Sequence, residues 1–211
     1  MARDRSRGPD RGRGRGDDAR AAQDRLRIAQ TAARLIAEHG LPDWSLAKRK
    51  AARQLMLPDT APLPSNEQIE VALVDHHALF GGEAHAAMLR ARRGEALAWM
   101  KRLAAWEPLL VGGVAAGWAT AHSDVRLELV ADDPKAVEMT LAGTGVAYAA
   151  AAPRGDSDGN GDGRGVELFI ATPQAGIRLS ILSPQQRRNR PRRDGEPRLA
   201  ADAVAALFAA G

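Results

Sequence analysis

The spacing of apolar residues changes at Pro108, and that change divides the chain. Between Ile28 and Leu103 apolar side chains recur three and four positions apart, the spacing of one helix face. From Leu109 onward they cluster or alternate. Val125, Leu127 and Leu129 interleave with Arg126 and Glu128, so one strand face is charged and the other apolar. The expected class is α+β, with an N-terminal helical unit followed by a small mixed β-sheet domain.

Local signals place the elements. A first helix over residues 18–39 ends at Gly40, with Leu41 as the hydrophobic follower. Asp43 suits the N-cap of a second helix over 44–55. Pro58 and Pro62-Leu63-Pro64 break the chain. Ser65 and Gln68 then form a capping box for a third helix through Ile69, Leu73 and Phe80. Gly81-Gly82 precede a fourth helix over 83–106, which Pro108 ends.

Beyond it, strands are expected at 109–111, 125–130 and 146–151. A helix over 134–142 is capped by Asp133 with Pro134 at its first turn. Residues 153–165 read as a flexible turn. Residues 166–172 and 177–182 read as a hairpin, and a helix over 199–210 closes the chain. The expected division is a disordered Arg/Gly-rich tail (1–20), a helical unit (21–107), an α+β domain (108–185), and a basic linker with a C-terminal helix (186–211).

Composition narrows the function classes. Apolar residues are 45% of the 211, enough for a core, but aromatics are 4%, so Leu, Val, Ile and Ala must fill it around four Trp. Absence of cysteine excludes a disulfide framework and a thiolate metal site. No apolar run approaches the roughly 18 residues of a membrane span. The N-terminal arginines lead into no hydrophobic segment, so a cytoplasmic protein without a membrane partner is expected. The net charge of +4 is concentrated at the ends: seven Arg against four Asp in 1–20, six Arg against two acids in 187–198. The Arg-Gly tail is either a solvated extension or a nucleic-acid contact.

Two places could carry chemistry. Gly112-Gly113 free the backbone to turn tightly and let a phosphate approach its amides, Ser123 orients the entry to the next strand, and Asp124, Arg126 and Glu128 line its charged face. The plainer alternative is a half-buried strand showing its polar side to water. In the second helix Lys48, Arg49, Lys50 and Arg53 make a basic cluster that could contact nucleic acid, or be a solvated face. His39, His76, His77, His85 and His122 lack paired metal-ligand spacing and read as structural or solvated, with His122 near the glycine turn.

Gly112-Gly113, ten intervening residues and Asp124-Val125-Arg126-Leu127 resemble the signature of the polymerase-beta-type nucleotidyltransferase superfamily. The order helix, strand, glycine turn, strand, helix, strand is similar as well. The stretch AARLIAEHGLPDWSLAKRKAARQLMLPD resembles bacterial proteins described as nucleotidyltransferase-like, and the likeness covers about residues 25–185. It implies two carboxylates at i and i+2 of a strand, with a third from a later strand, holding two divalent cations.

Carried over, Asp124 matches the first carboxylate and Gly112-Gly113 the phosphate turn. Arg126 stands in the second carboxylate's place, and a guanidinium cannot ligate Mg²⁺. Glu128 lies ~13 Å along the strand from Asp124, too far to share a metal. Glu167 is the acid of the late strands, where Arg178 and Ser180 also fall.

The resemblance therefore implies a degenerate, non-catalytic member needing no cofactor, which binds a nucleotide or phosphorylated ligand through Gly112, Gly113, Ser123, Arg126 and Arg178. Two alternatives stay open. One is an active nucleotidyltransferase with Asp124 as catalytic residue and Mg²⁺ ligand. The other is a basic nucleic-acid-associated module. No oligomeric state is implied.

Overall fold

The computed structural model describes residues 13–41, 43–151, 165–190 and 196–210. The chain forms two compact units, Met1–Leu79 and Phe80–Gly211.

The first unit is helical: α1 (Arg13–His39), α2 (Trp44–Gln54) and α3 (Asn66–Phe80). α1 and α2 pack through Ile28, Ala32, Leu35 and Ile36 on one side and Ala47 and Ala51 on the other, all under 5% exposed. Small alanines on α2 let the helices approach closely. Gly40, at φ +62°, ends α1 with its amide on the Ile36 carbonyl at 3.0 Å. Asp43 caps α2 by accepting from the Leu46 amide at 3.1 Å. The Ser65–Gln68 box is present in both directions, at 3.2 and 2.9 Å.

α1 starts at Arg13, inside the stretch assigned to the tail. Gly14 and Gly16 each cost a helix about 1 kcal/mol, a penalty that propagation from a nucleus packed at Ile28–Ile36 can absorb. Residues 1–12 lie outside the described set.

The second unit opens with α4 (Gly82–Arg102) and a 3₁₀ turn, Ala104–Trp106. β1 (Leu109–Val111), α5 (Gly113–Ala116), β2 (Val125–Val130), α6 (Pro134–Gly143), β3 (Ala149–Ala150), β4 (Val166–Ala171), β5 (Gly176–Leu182), α7 (Pro184–Asn189) and α8 (Ala201–Ala210) follow. The five strands form one mixed sheet in the order β1-β2-β5-β4-β3, in which β2 and β5 are parallel and the other pairs antiparallel. Val125, Leu127, Leu129, Leu168, Ile177, Leu179 and Ile181 share the apolar face and pack with Leu89, Ala96, Met100 and Leu103 in one core.

That core moves a boundary. Sequence placed residues 83–106 with the helical unit, but α4 belongs with the sheet. Helical periodicity shows that a face is buried, not what buries it. The C-terminal segment is likewise part of the fold. α7 begins with a Ser183–Gln186 capping box, the Leu199 backbone pairs with Leu110 at the β1 edge, and Val204 of α8 is fully buried.

The β4–β5 hairpin and the Asp133–Pro134 helix start are as expected. The strand expected over 146–151 contracts to Ala149–Ala150, an alanine edge with weak strand preference. The turn expected over 153–165 lies outside the described residues except Gly165. Among the described residues no helix is long and apolar enough to cross a membrane.

Candidate functional site: an arginine-bearing sheet face

Because β2 and β5 run parallel, residues in register show their side chains on the same face, ~4.8 Å apart. Arg126 of β2 is in register with Arg178 of β5. Val111 of β1 lies beside Arg126, and Phe169 of β4 beside Arg178. The Leu199–Leu110 bridge, with hydrogen bonds of 2.8 and 2.9 Å, sets Arg198 opposite Val111. One row across the sheet thus reads Arg198, Val111, Arg126, Arg178, Phe169.

Guanidiniums stay charged at any working pH, so neighbouring ones need counter-charge. Arg178 is 8% exposed. Its Nη1 donates to Glu167 Oε2 at 3.1 Å and its Nη2 to Asp124 Oδ2 at 3.5 Å. The guanidinium also lies 5.9 Å from the Phe169 ring centroid, within cation–π reach. Glu128, two residues beyond Arg126 on the same face, is 2% exposed. Arg190 Nη1 reaches its Oε1 at 2.6 Å, and Arg198 Nε lies 3.9 Å from its Oε2. Arg190 and Arg198 were read in sequence as part of a basic linker; the structure ties them to a buried acid of the sheet.

The glycine turn has a local explanation. Gly112 has φ +70°, and a Cβ there would lie 3.2 Å from Arg126 Cδ. A Cβ on Gly113 would lie 2.7 Å from the Trp118 ring and 3.1 Å from Ala119 Cα. Both glycines are buried. They leave room for the Arg126 stem and the Trp118 indole, so the space read as a phosphate approach is filled by the chain's own side chains. Ser123 orients the entry to β2, its Oγ accepting from the Thr120 amide at 2.9 Å.

Sequence reading missed the side chains of α4 that hold this connection. Arg92, 7% exposed, donates Nη1 to the Ser123 carbonyl at 2.9 Å and Nη2 to the Ala121 carbonyl at 2.8 Å. Arg93 Nε donates to the Val114 carbonyl at 3.3 Å, and burial lowers its pKa from the ordinary arginine value. His85 Nε2 lies 3.1 Å from the Gly117 carbonyl oxygen. A signal existed, since Arg92 sits on the buried stripe Leu89-Arg92-Ala96-Trp99, where a charge must find polar partners.

Asp124 and Glu167 come together, but around Arg178. Among the described residues no three His, Asp or Glu side chains converge as a metal site would require. Arg126 lies two residues along β2 from Asp124, and a guanidinium cannot ligate a divalent cation. The basic cluster of α2 belongs to the other compact unit. Lys48 is half-buried and donates to Asn66 Oδ1 at 2.7 Å, while Arg49, Lys50 and Arg53 are exposed. His39 and His122 are exposed, and His76 stacks edge-on to His77. Compared with protein-family models, curated proteins and solved structures, the chain matches none.

Proposed function

We propose that this chain is a non-catalytic protein of nucleotidyltransferase type that recognises a nucleotide or other phosphorylated ligand through its sheet arginines, without a metal. The observation that carries this reading is the register of Arg126 with Arg178. Where the resembled family uses carboxylates to hold cations that in turn hold phosphate, this face offers guanidiniums, which bind phosphate oxygens directly. The succession α4, β1, α5, β2, α6, β3 supports the same kinship, with the glycine pair following β1 and Asp124 preceding β2.

The test has two arms. Incubation with labelled ATP, CTP, GTP or UTP and Mg²⁺ or Mn²⁺ should give no nucleotide transfer, while nucleotides in EDTA should raise the melting temperature of wild type and not of Arg126→Gln. Metal-dependent transfer abolished by Asp124→Asn would establish the enzyme instead. The absence of a shift with any nucleotide, with or without Mg²⁺, would remove the ligand reading. Salt-sensitive nucleic-acid binding lost in an Arg49/Lys50/Arg53→Ala variant would move the function to α2.

A further inference from the structure

The parallel strands β2 and β5 end side by side, and the chain leaves them in opposite directions. β2 ends at Val130 and β5 at Leu182, and the Ala131 amide donates to the Leu182 carbonyl at 3.0 Å. From β2 the chain passes through α6 to β3, at the far edge beyond β4. From β5 it passes through α7 to Leu199, beside β1. Where neighbouring parallel strands diverge in this way, a crevice opens outside their carboxyl ends, and ligands are held there in open α/β sheets. Here the crevice is a cavity of about 350 Å³ bordered by Trp106, Val130, Ala131, Asp132, Asp133 and Pro184. That volume falls within the roughly 300–1,000 Å³ of small-molecule sites.

Two helices start at the rim, and helix starts favour anions, but their first amides are already used within the chain. Asp133 accepts the Lys135 amide on its carboxylate at 2.9 Å and the Ala136 amide on its carbonyl at 3.1 Å, and Pro134 has no N–H. Ser183 accepts the Gln186 amide on its hydroxyl at 3.1 Å and the Arg187 amide on its carbonyl at 3.0 Å. Both charged side chains of the lining are acids. Asp132 is exposed, and its carboxylate meets no cation or hydrogen-bond donor among the described residues. Two arginines close in sequence are engaged elsewhere: Arg102 lies 5.2 Å over the Trp99 ring, and Arg187 pairs with Glu107 at 3.2 Å. Trp106 is half-buried against the core, and among the described residues no cation lies over its ring.

We infer that this cavity binds an organic cation, an apolar group bearing an ammonium or guanidinium, with Asp132 pairing the charge and Trp106 supplying its ring face. Val130, Ala131 and Pro184 shield the apolar part of the ligand from water. An anion would instead face two carboxylates. Neither Arg126 nor Arg178 borders the cavity, so this site does not depend on the phosphate reading.

The experiment is titration of the full chain with phenethylammonium, with its neutral isostere phenethyl alcohol and with the anion hydrocinnamate. Calorimetry gives the affinities, and proton–nitrogen NMR follows the indole resonances, with Trp106→Phe identifying that of Trp106. Phenethylammonium should move the Trp106 resonance and bind about 5- to 30-fold more tightly than the alcohol, the combined effect of an exposed ion pair and a cation–π contact. Asp132→Asn changes an exposed side chain and should reduce that preference about 2- to 5-fold without altering alcohol binding.

N-acetylarginine amide distinguishes the sources of the cation. Binding tighter than that of phenethylammonium names a basic peptide side chain, the reverse a free amine, and both orders support the site. Equal binding of amine and alcohol, tighter binding of hydrocinnamate, or a preference untouched by Asp132→Asn would overturn it. So would the absence of binding by every probe, or binding that leaves the Trp106 resonance in place.

Discussion

Replacing Arg178 by methionine removes a cation that Asp124 and Glu167 share, while keeping most of the side-chain volume. The three side chains are 9%, 15% and 19% exposed, so the two carboxylates would stay largely desolvated and lose the counter-charge that they share. Breaking a buried pair from one side costs about 3–5 kcal/mol. The partial exposure of both acids and the 3.5 Å length of the Asp124 contact argue for the lower end, about 3 kcal/mol. For a unit spanning Phe80–Gly211, that is a fall in Tm of roughly 10 °C.

Urea unfolding followed by circular dichroism gives the free energy, and a thermal melt gives the shift. The control is the triple variant Arg178→Met, Asp124→Asn, Glu167→Gln. With no stranded charge it should lie within about 1 kcal/mol of wild type. A loss below about 1 kcal/mol in the single variant, or a triple variant as unstable as the single, would refute the claim that these acids are held by Arg178.

Three further outcomes follow from the same structure. Gly112→Ala forces a left-handed backbone on alanine and crowds Arg126 Cδ, so it should cost about 1–2 kcal/mol in unfolding free energy and also weaken phosphate binding measured by calorimetry. Ser65→Ala should cost about 1 kcal/mol in the helical unit, read by urea unfolding, because the Gln68 amide loses its acceptor. Tyr148 is the chain's single tyrosine, and its hydroxyl donates to Glu138 at 3.2 Å. Partial burial and the Glu138 carboxylate push its pKa above the ordinary 10. The folded state therefore keeps a proton that the unfolded state loses, and stability should fall as pH rises above 10. Absorbance at 295 nm should show a midpoint above 10 that drops in Glu138→Gln.

Local chemistry was legible in the sequence where neighbours in the chain are also partners in space. Asp43, Ser65 with Gln68, and Asp133 with Pro134 sit within four residues of the groups they cap, and the turn at 173–176 joins the strands it pairs. The adjacency of Arg126 and Arg178 was half legible. Alternation gives the face of each strand, but only the sheet order gives the neighbour.

What could not be read was set by long-range packing. Nothing local says that α4 sides with the sheet, since an apolar stripe packs equally well on a helix or a strand layer. Arg190 and Arg198 lie in a Pro-broken, Arg-rich stretch whose composition is that of a linker, and their partner Glu128 is 62 and 70 positions earlier. The glycine pair misled for the opposite reason. Its conformational freedom is needed, but the groups that fill the space are Arg126 and Trp118.

The proposal that guanidiniums on this sheet hold phosphate directly, in place of metal ions held by carboxylates, is open to a direct test. Titrating AMP into the wild-type protein, once in EDTA and once in excess Mg²⁺, tests it most directly. The same affinity is expected in both, lost when Arg126 becomes glutamine. Binding that appears only with Mg²⁺ and disappears in Asp124→Asn would contradict it.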